Sequence, residues 1–281
     1  MAFFEEHNLN SPSFQKNAKL LKAIKRGQQP LRKEENHGFL NPLTTSQVQE
    51  YQKKGIENET AIAGFLNNTH YDMISISNAY SSLLDELEAF IEKDLDEIRN
   101  ISAATLSYLI NDGLNEGKGS LNNYSVGAKE TQVLASIISG ALVQPSLIYL
   151  STLCDQKYLD AWERTPCPIC GNIPSIVVKN ESQVWRFKCT FCHTMYKMDI
   201  FSCPSCGVKD VHNFEFTIVG ENQEYEITSC RTCNQYYKII NVANLEQSIQ
   251  EGMEGISTEI LDDLAQEKGL SRLDDLNTRN T

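Results

Sequence analysis

Cys167–Gly171 reads CPICG, Cys189–His193 reads CTFCH, Cys203–Gly207 reads CPSCG and Cys230–Asn234 reads CRTCN. These are four C-x2-C pairs within 67 residues, separated by gaps of 18, 10 and 23 residues. One such pair is weak evidence, because redox motifs and chance also produce it. Two pairs about 15–20 residues apart read as a four-thiolate metal site, and four pairs in alternating gaps read as two sites. Two residues between cysteines form a tight turn that aims both sulfurs at one ion and leaves backbone N–H groups to donate to the thiolates. The residue after the second cysteine favours positive φ, where glycine costs least and Asn and His are enriched. Those positions are Gly171, His193, Gly207 and Asn234. Pro168 and Pro204 fix φ where two of the turns begin.

The simplest assignment is sequential. Cys167, Cys170, Cys189 and Cys192 would hold one ion, and Cys203, Cys206, Cys230 and Cys233 a second. Interleaved pairing would need longer excursions between turns. The ion itself is open, since the same four-sulfur cage suits zinc or a single rubredoxin-type iron. Disulfides are the competing use of cysteine and belong to oxidising compartments. The start, MAFFEEHNLN, has acidic residues where a signal peptide has positive charge before an apolar run. A reducing, cytoplasmic setting is therefore expected, and metal sites with it.

The 281 residues carry a net charge of −12, which argues against a phosphate backbone as the main partner. The cysteine-rich stretch 167–240 has seven Lys/Arg against seven Asp/Glu, so no basic face marks it for nucleic acid. Upstream, apolar residues recur at threes and fours. A helix is expected over Phe14–Arg26, with Lys16, Lys19, Lys22, Lys25 and Arg26 on a solvated face. Thr44/Gln47 and Ser46/Gln49 both have capping-box spacing, ahead of a helix through Val48, Tyr51 and Ile56. Residues 79–99 and Ile101–Asn115 continue the helical pattern, and Gly117 to Gly127 reads as a loop. Thr131 to Cys154 is a run of 24 uncharged residues. Its Ser, Gln and Gly content argues against a membrane span, and Pro145 is expected to separate two buried helices or to kink one. Cys154 has no partner at ligand spacing and reads as a core cysteine.

Between the knuckles the pattern turns strand-like: Ile173–Lys179, Val184–Lys188 and Tyr196–Phe201, then Phe214–Val219, Glu224–Thr228 and Tyr236–Val242. The two halves look like an internal duplication. Helical spacing returns from Leu245 through Leu264 and ends at Gly269, before an acidic tail. The fold class expected is thus α+β: an N-terminal all-helical domain, two tandem rubredoxin-like or zinc-ribbon modules, and a C-terminal helix. The divisions are a segment 1–43, a helical domain 44–160, metal modules 161–200 and 201–243, and a final helix and tail 244–281.

The order of parts, with CPICG followed by Pro174, the short step from Cys192 to Cys203 and the run SCRTCNQYYK ending at Lys238, resembles the formate dehydrogenase accessory protein family, FdhE. The resemblance covers the C-terminal half well and the helical half in pattern. It implies an assembly factor that contacts the catalytic subunit of a molybdenum- or tungsten-dependent formate dehydrogenase in the cytoplasm. It also implies rubredoxin-like sites able to hold iron, one ion in each of two sites. No catalytic residue is carried over. None of the five histidines forms an i, i+4 zinc-protease pair, and G-x-S-x-G and phosphate-loop motifs are absent from the sequence. His193 adjoins Cys192 and reads first as a knuckle residue and second as an exchange ligand. Candidate partner anchors, by residue type, are Trp185, Phe191, Tyr196 and Arg231, each of which could equally pack within its own module. A redox protein and a zinc-ribbon nucleic-acid binder are the alternative readings, and a homodimer is left open.

Overall fold

A computed structural model describes residues 12–31, 38–91, 95–115, 129–182, 184–199 and 202–273. The expected loop from Gly117 to Gly127, residues Ile200 and Phe201, and the acidic tail lie outside them. The chain divides into two compact units. One is helical, Ala18–Asp155 together with the knuckle residues Ile169–Gly171. The other holds the sheet and comprises the remaining residues.

The helices are α1 (Pro12–Gly27), α2 (Thr45–Asn58), α3 (Met73–Ile91), α4 (Asp96–Arg99), α5 (Ala103–Asn115) and α6 (Lys129–Leu153). Helix α2 starts where the sequence places it: Gln47 N–H donates to Thr44 Oγ1 at 3.3 Å, and Thr44 N–H donates back to Gln47 Oε1 at 2.9 Å. Two otherwise orphaned donors are satisfied by that exchange. The core of the helical unit is mostly aliphatic, with Phe39, Tyr71 and Tyr80 also buried. Ile76, Leu83, Leu84 and Leu87 of α3, Leu106, Leu109 and Ile110 of α5, and Leu142, Val143, Leu147 and Leu150 of α6 are all buried. Helix α6 packs along both α3 and α5. Ser139 Oγ donates across to Leu109 O at 2.7 Å, on a stretch where Gly113 lets α5 come so close that a Cβ there would lie 2.5 Å from Ser139 Oγ.

Pro145 neither ends nor divides α6, which runs as one helix of 25 residues through it. Proline lacks the N–H that would bond the carbonyl four residues back, so Ala141 O loses its helical partner. The Gln28 side chain, fully buried, supplies the replacement: Nε2 donates to Ala141 O at 2.8 Å. Leu134–Leu153 is also long and apolar enough to cross a membrane, but half of that window is buried inside the protein, and one such helix is weak evidence of a span.

In the other unit, α7 (Gln156–Ala161) precedes β1 (Ile176–Lys179), β2 (Trp185–Lys188) and β3 (Met195–Lys197). After these come β4 (Phe214–Val219), β5 (Tyr225–Cys230), β6 (Gln235–Asn241), α8 (Glu254–Ser257), α9 (Glu259–Glu267) and β7 (Ser271–Arg272). The six longer strands match the expected segments to within a few residues. Their arrangement adds something the segments alone do not contain. β1 pairs antiparallel with β2 and parallel with β6, giving one sheet in the order β3-β2-β1-β6-β5-β4, with β7 also on β6. The two hairpin modules are therefore joined edge to edge. Ile176 sits in register between Lys188 on one side and Lys238 on the other.

The C-terminal helical stretch is shorter than its periodicity. Leu245–Met253 is not helical, and Gly252 takes φ +82°, a conformation that stops a right-handed helix. Helix α9 then covers one sheet face, where Leu261 and Ala265 pack on Ile227 and Tyr236. It ends at Gly269, as expected, with φ +72° and with Leu270 N–H donating to Ala265 O at 3.1 Å.

Candidate metal centres

The eight knuckle cysteines assemble into two groups of four, in the sequential pairing. Cys167, Cys170, Cys189 and Cys192 form one group and Cys203, Cys206, Cys230 and Cys233 the other, with all sulfurs of a group within 4.8 Å of one another. All four of the first group are buried, as are Cys203 and Cys230 of the second, while Cys206 is exposed and Cys233 half-buried. Cys154 belongs to neither group. It is half-buried rather than a core residue, and its Sγ donates to Leu150 O at 3.4 Å.

The knuckles take the backbone shape that the spacing demands. Gly171, His193, Gly207 and Asn234 all have positive φ, between 55° and 78°. In three of them the N–H of this residue donates back to the carbonyl of the first cysteine, His193 to Cys189, Gly207 to Cys203 and Asn234 to Cys230, at 2.8–2.9 Å. The first cysteine's own N–H closes the loop onto the residue five positions on: Cys167 to Asn172, Cys189 to Thr194 and Cys203 to Val208. The Cys189 and Cys203 turns thus carry both bonds, and the Cys167 and Cys230 turns one each.

The donor sets fit a tetrahedral thiolate-bound ion. Four sulfurs at a zinc–sulfur distance near 2.3 Å lie about 3.8 Å apart. Cys203 and Cys233 are 3.7 Å apart, as are Cys206 and Cys230, and Cys167 and Cys192 are 3.4 Å apart. Backbone N–H groups support the sulfurs. Burial works to raise the Cys230 thiol, but the N–H groups of Cys233 and Thr232 and the sulfurs of Cys203 and Cys206 draw it down to about 7. Burial dominates at Cys203 and pushes its thiol up, despite N–H donors from Cys206 and Ser205. A metal ion overrides such differences, because a coordinated thiol is deprotonated outright. Each group could therefore hold one ion.

His193 lies outside both sulfur groups. Its φ of +63° makes it a knuckle residue, and its ring faces Glu251, with Nδ1 3.8 Å from Oε1. Of the four suggested partner anchors, Tyr196 is fully buried. Its hydroxyl donates to Thr165 O, and its ring lies 5.5 Å from that of Phe187, so it packs its own module and is not a surface anchor. Trp185 and Phe191 are half-buried, and Lys179 Nζ sits 5.6 Å from the Trp185 ring centroid. Arg231 is exposed and faces Glu215 at 3.8 Å.

Two lysines of the sheet are buried with partners that their motifs do not reveal. Lys238 is 1 % exposed, and its Nζ donates to Asp262 Oδ2 at 2.8 Å while the Tyr236 hydroxyl donates to Asp262 Oδ1 at 2.7 Å. Lys188 is likewise buried, donating to His193 O and to Glu251 Oε1, each at 3.0 Å. Both tie the C-terminal segment to the sheet. Each follows an aromatic residue within a strand, in WRFK and QYYK, which is the one signal the sequence offers.

No protein-family model matches the chain. A protein from Aquifex aeolicus (strain VF5) named "Protein FdhE homolog" is 29 % identical over 119 residues, covering 41 % of this chain and 42 % of that protein. The match thus spans less than half the length of that relative. A crystal structure of the FdhE protein from Pseudomonas aeruginosa is similar over 92 % of both chains, with a TM-score of 0.54 at 17 % identity. At that identity the likeness is one of fold. Sequence and fold both support the FdhE resemblance.

Proposed function

We propose that this chain is an assembly factor for a molybdenum- or tungsten-dependent formate dehydrogenase. It binds the catalytic subunit in the cytoplasm through a surface held in shape by two metal ions, one in each cysteine group. The observation that carries the reading is the pair of four-cysteine groups within one sheet, in a chain similar to FdhE proteins in sequence and fold. Four-thiolate sites hold together hairpins too small to bury an adequate core. That points to building a binding surface, and we read the protein as accessory rather than catalytic.

A redox role is the second reading, favoured by the exposure of Cys206, which would bring an iron at the second site close to solvent. A reversible visible spectrum in the purified protein would favour it. Nucleic acid is disfavoured by the even charge of residues 167–240. The test is deletion of the gene in its own cell. Formate dehydrogenase activity is expected to fall with no change in the enzyme's transcript. Normal activity in a strain holding no related protein overturns the proposal.

A further inference from the structure

The strand β4 is an edge of the sheet, and its outer side pairs with no other strand among the described residues. Its pairing with β5 runs in unbroken register from Phe214↔Cys230 to Val219↔Tyr225, so no bulge twists the edge away. Its sequence, FEFTIV, contains neither Lys nor Pro. Edge strands are normally guarded by those devices, because a bare row of N–H and C=O groups recruits another strand.

The side chains sharpen the point. Phe214, Phe216 and Ile218 alternate onto one face. Phe214 is buried against Cys203 and Cys230, but Phe216 is 51 % exposed and Ile218 57 %. On the opposite face, Val219 packs against the cluster under α9, and Thr217 accepts from Lys268 Nζ at 3.0 Å. That face is thus partly covered, with Glu215 exposed at its end, while the other leaves an apolar row open beside the second cysteine group. The hairpin 214–230 carries Glu215, Glu221, Glu224 and Glu226 and no Lys or Arg.

We propose that the outer edge of β4 is a strand-addition site for an extended segment of a partner protein whose side chains alternate between apolar and basic. Backbone hydrogen bonds would supply affinity, and alternate side chains specificity: apolar ones onto Phe216 and Ile218, cations toward the glutamates. Charge selects this occupant over a second copy of the chain. Pairing β4 with itself would bring together two hairpins with four glutamates each, whose neighbouring cations Arg231 and Lys268 already face Glu215 and Thr217, on chains that each carry a net charge of −12. The inference deepens the assembly-factor reading, on which it rests for the identity of the partner.

The experiment has two arms and uses the full-length, metal-loaded protein. In the first, two synthetic peptides of about ten residues, one alternating Val and Lys and the other Val and Glu, are added while amide hydrogen exchange is followed over residues 214–219. The Val/Lys peptide is expected to slow exchange by about tenfold, and the Val/Glu peptide to leave it unchanged. The double variant F216K/I218K, checked for unchanged metal content, is expected to lose the protection. Absent protection, equal protection by both peptides, or protection retained in the variant overturns the proposal. In the second arm, a photo-crosslinking residue placed at Phe216 is exposed to the formate dehydrogenase catalytic subunit. A crosslink to a basic, apolar strand of that subunit supports both proposals. Peptide protection without that crosslink supports the edge site and counts against the client reading. A crosslink to a second copy of this chain overturns the proposal.

Discussion

Cys167, Cys170, Cys189 and Cys192 are closed off from solvent, whereas in the second group Cys206 is exposed and Cys233 half-buried. The knuckle chemistry is the same in both: positive φ after the second cysteine, N–H groups turned back toward the first, sulfurs at tetrahedral separations. Local sequence therefore sets the cage, and the surroundings decide who can reach it. Binding energy at a four-thiolate site is largely folding energy. An ion in the first group can leave only when the module opens, while one in the second can be approached from solvent in the folded protein.

The largest expected effect follows from that contrast. A strong chelator is expected to strip the protein in two steps, the second site emptying faster than the first by about tenfold or more, since release from the buried site waits on local unfolding. Cys206→Ser is expected to remove the fast step and leave the slow one. Absorbance of a metal-sensitive dye checks both. A single phase would mean that burial does not control release.

The buried lysines allow a second, smaller comparison. Lys238 and Asp262 are both almost fully buried, whereas Glu251, the nearer carboxylate to Lys188, is 66 % exposed. Lys238→Met leaves buried Asp262 with the Tyr236 hydroxyl and with Arg272, whose guanidinium lies 3.5 Å away, and is expected to destabilise the sheet unit by about 3 kcal/mol, the low end for breaking a buried pair. Lys188→Met leaves Glu251, which water can solvate, and Glu254, which lay 3.9 Å from the ammonium and accepts from Gly252 N–H, and is expected to cost less, about 1–2 kcal/mol. Denaturant unfolding of the two variants, read by hydrogen exchange in β6, gives the order. Equal losses would show that the two lysines are equivalent anchors.

What the sequence made legible was local. The C-x2-C pairs, the positions of Gly171, His193, Gly207 and Asn234, the Thr44–Gln47 box and the stop at Gly269 each depend on a few neighbouring residues. The sites were legible for the same reason, since sequential pairing needs only short hairpins. What escaped depends on contacts between distant segments. The parallel pairing of β1 with β6 has no signature in either strand. Helix α6 continues through Pro145, and the carbonyl that proline leaves without a helical donor, Ala141 O, is answered by Gln28, more than 100 residues away. Tyr196 resembles an anchor by type and is buried by register, opposite Phe187.

The central claim is that each cysteine group holds one ion through its four sulfurs. X-ray absorption at the metal edge, combined with elemental analysis of protein purified without oxygen, tests it directly. Two ions per chain are expected, each with four sulfur neighbours near 2.3 Å and no nitrogen. One ion per chain, or a shell containing a His193 nitrogen, would contradict it.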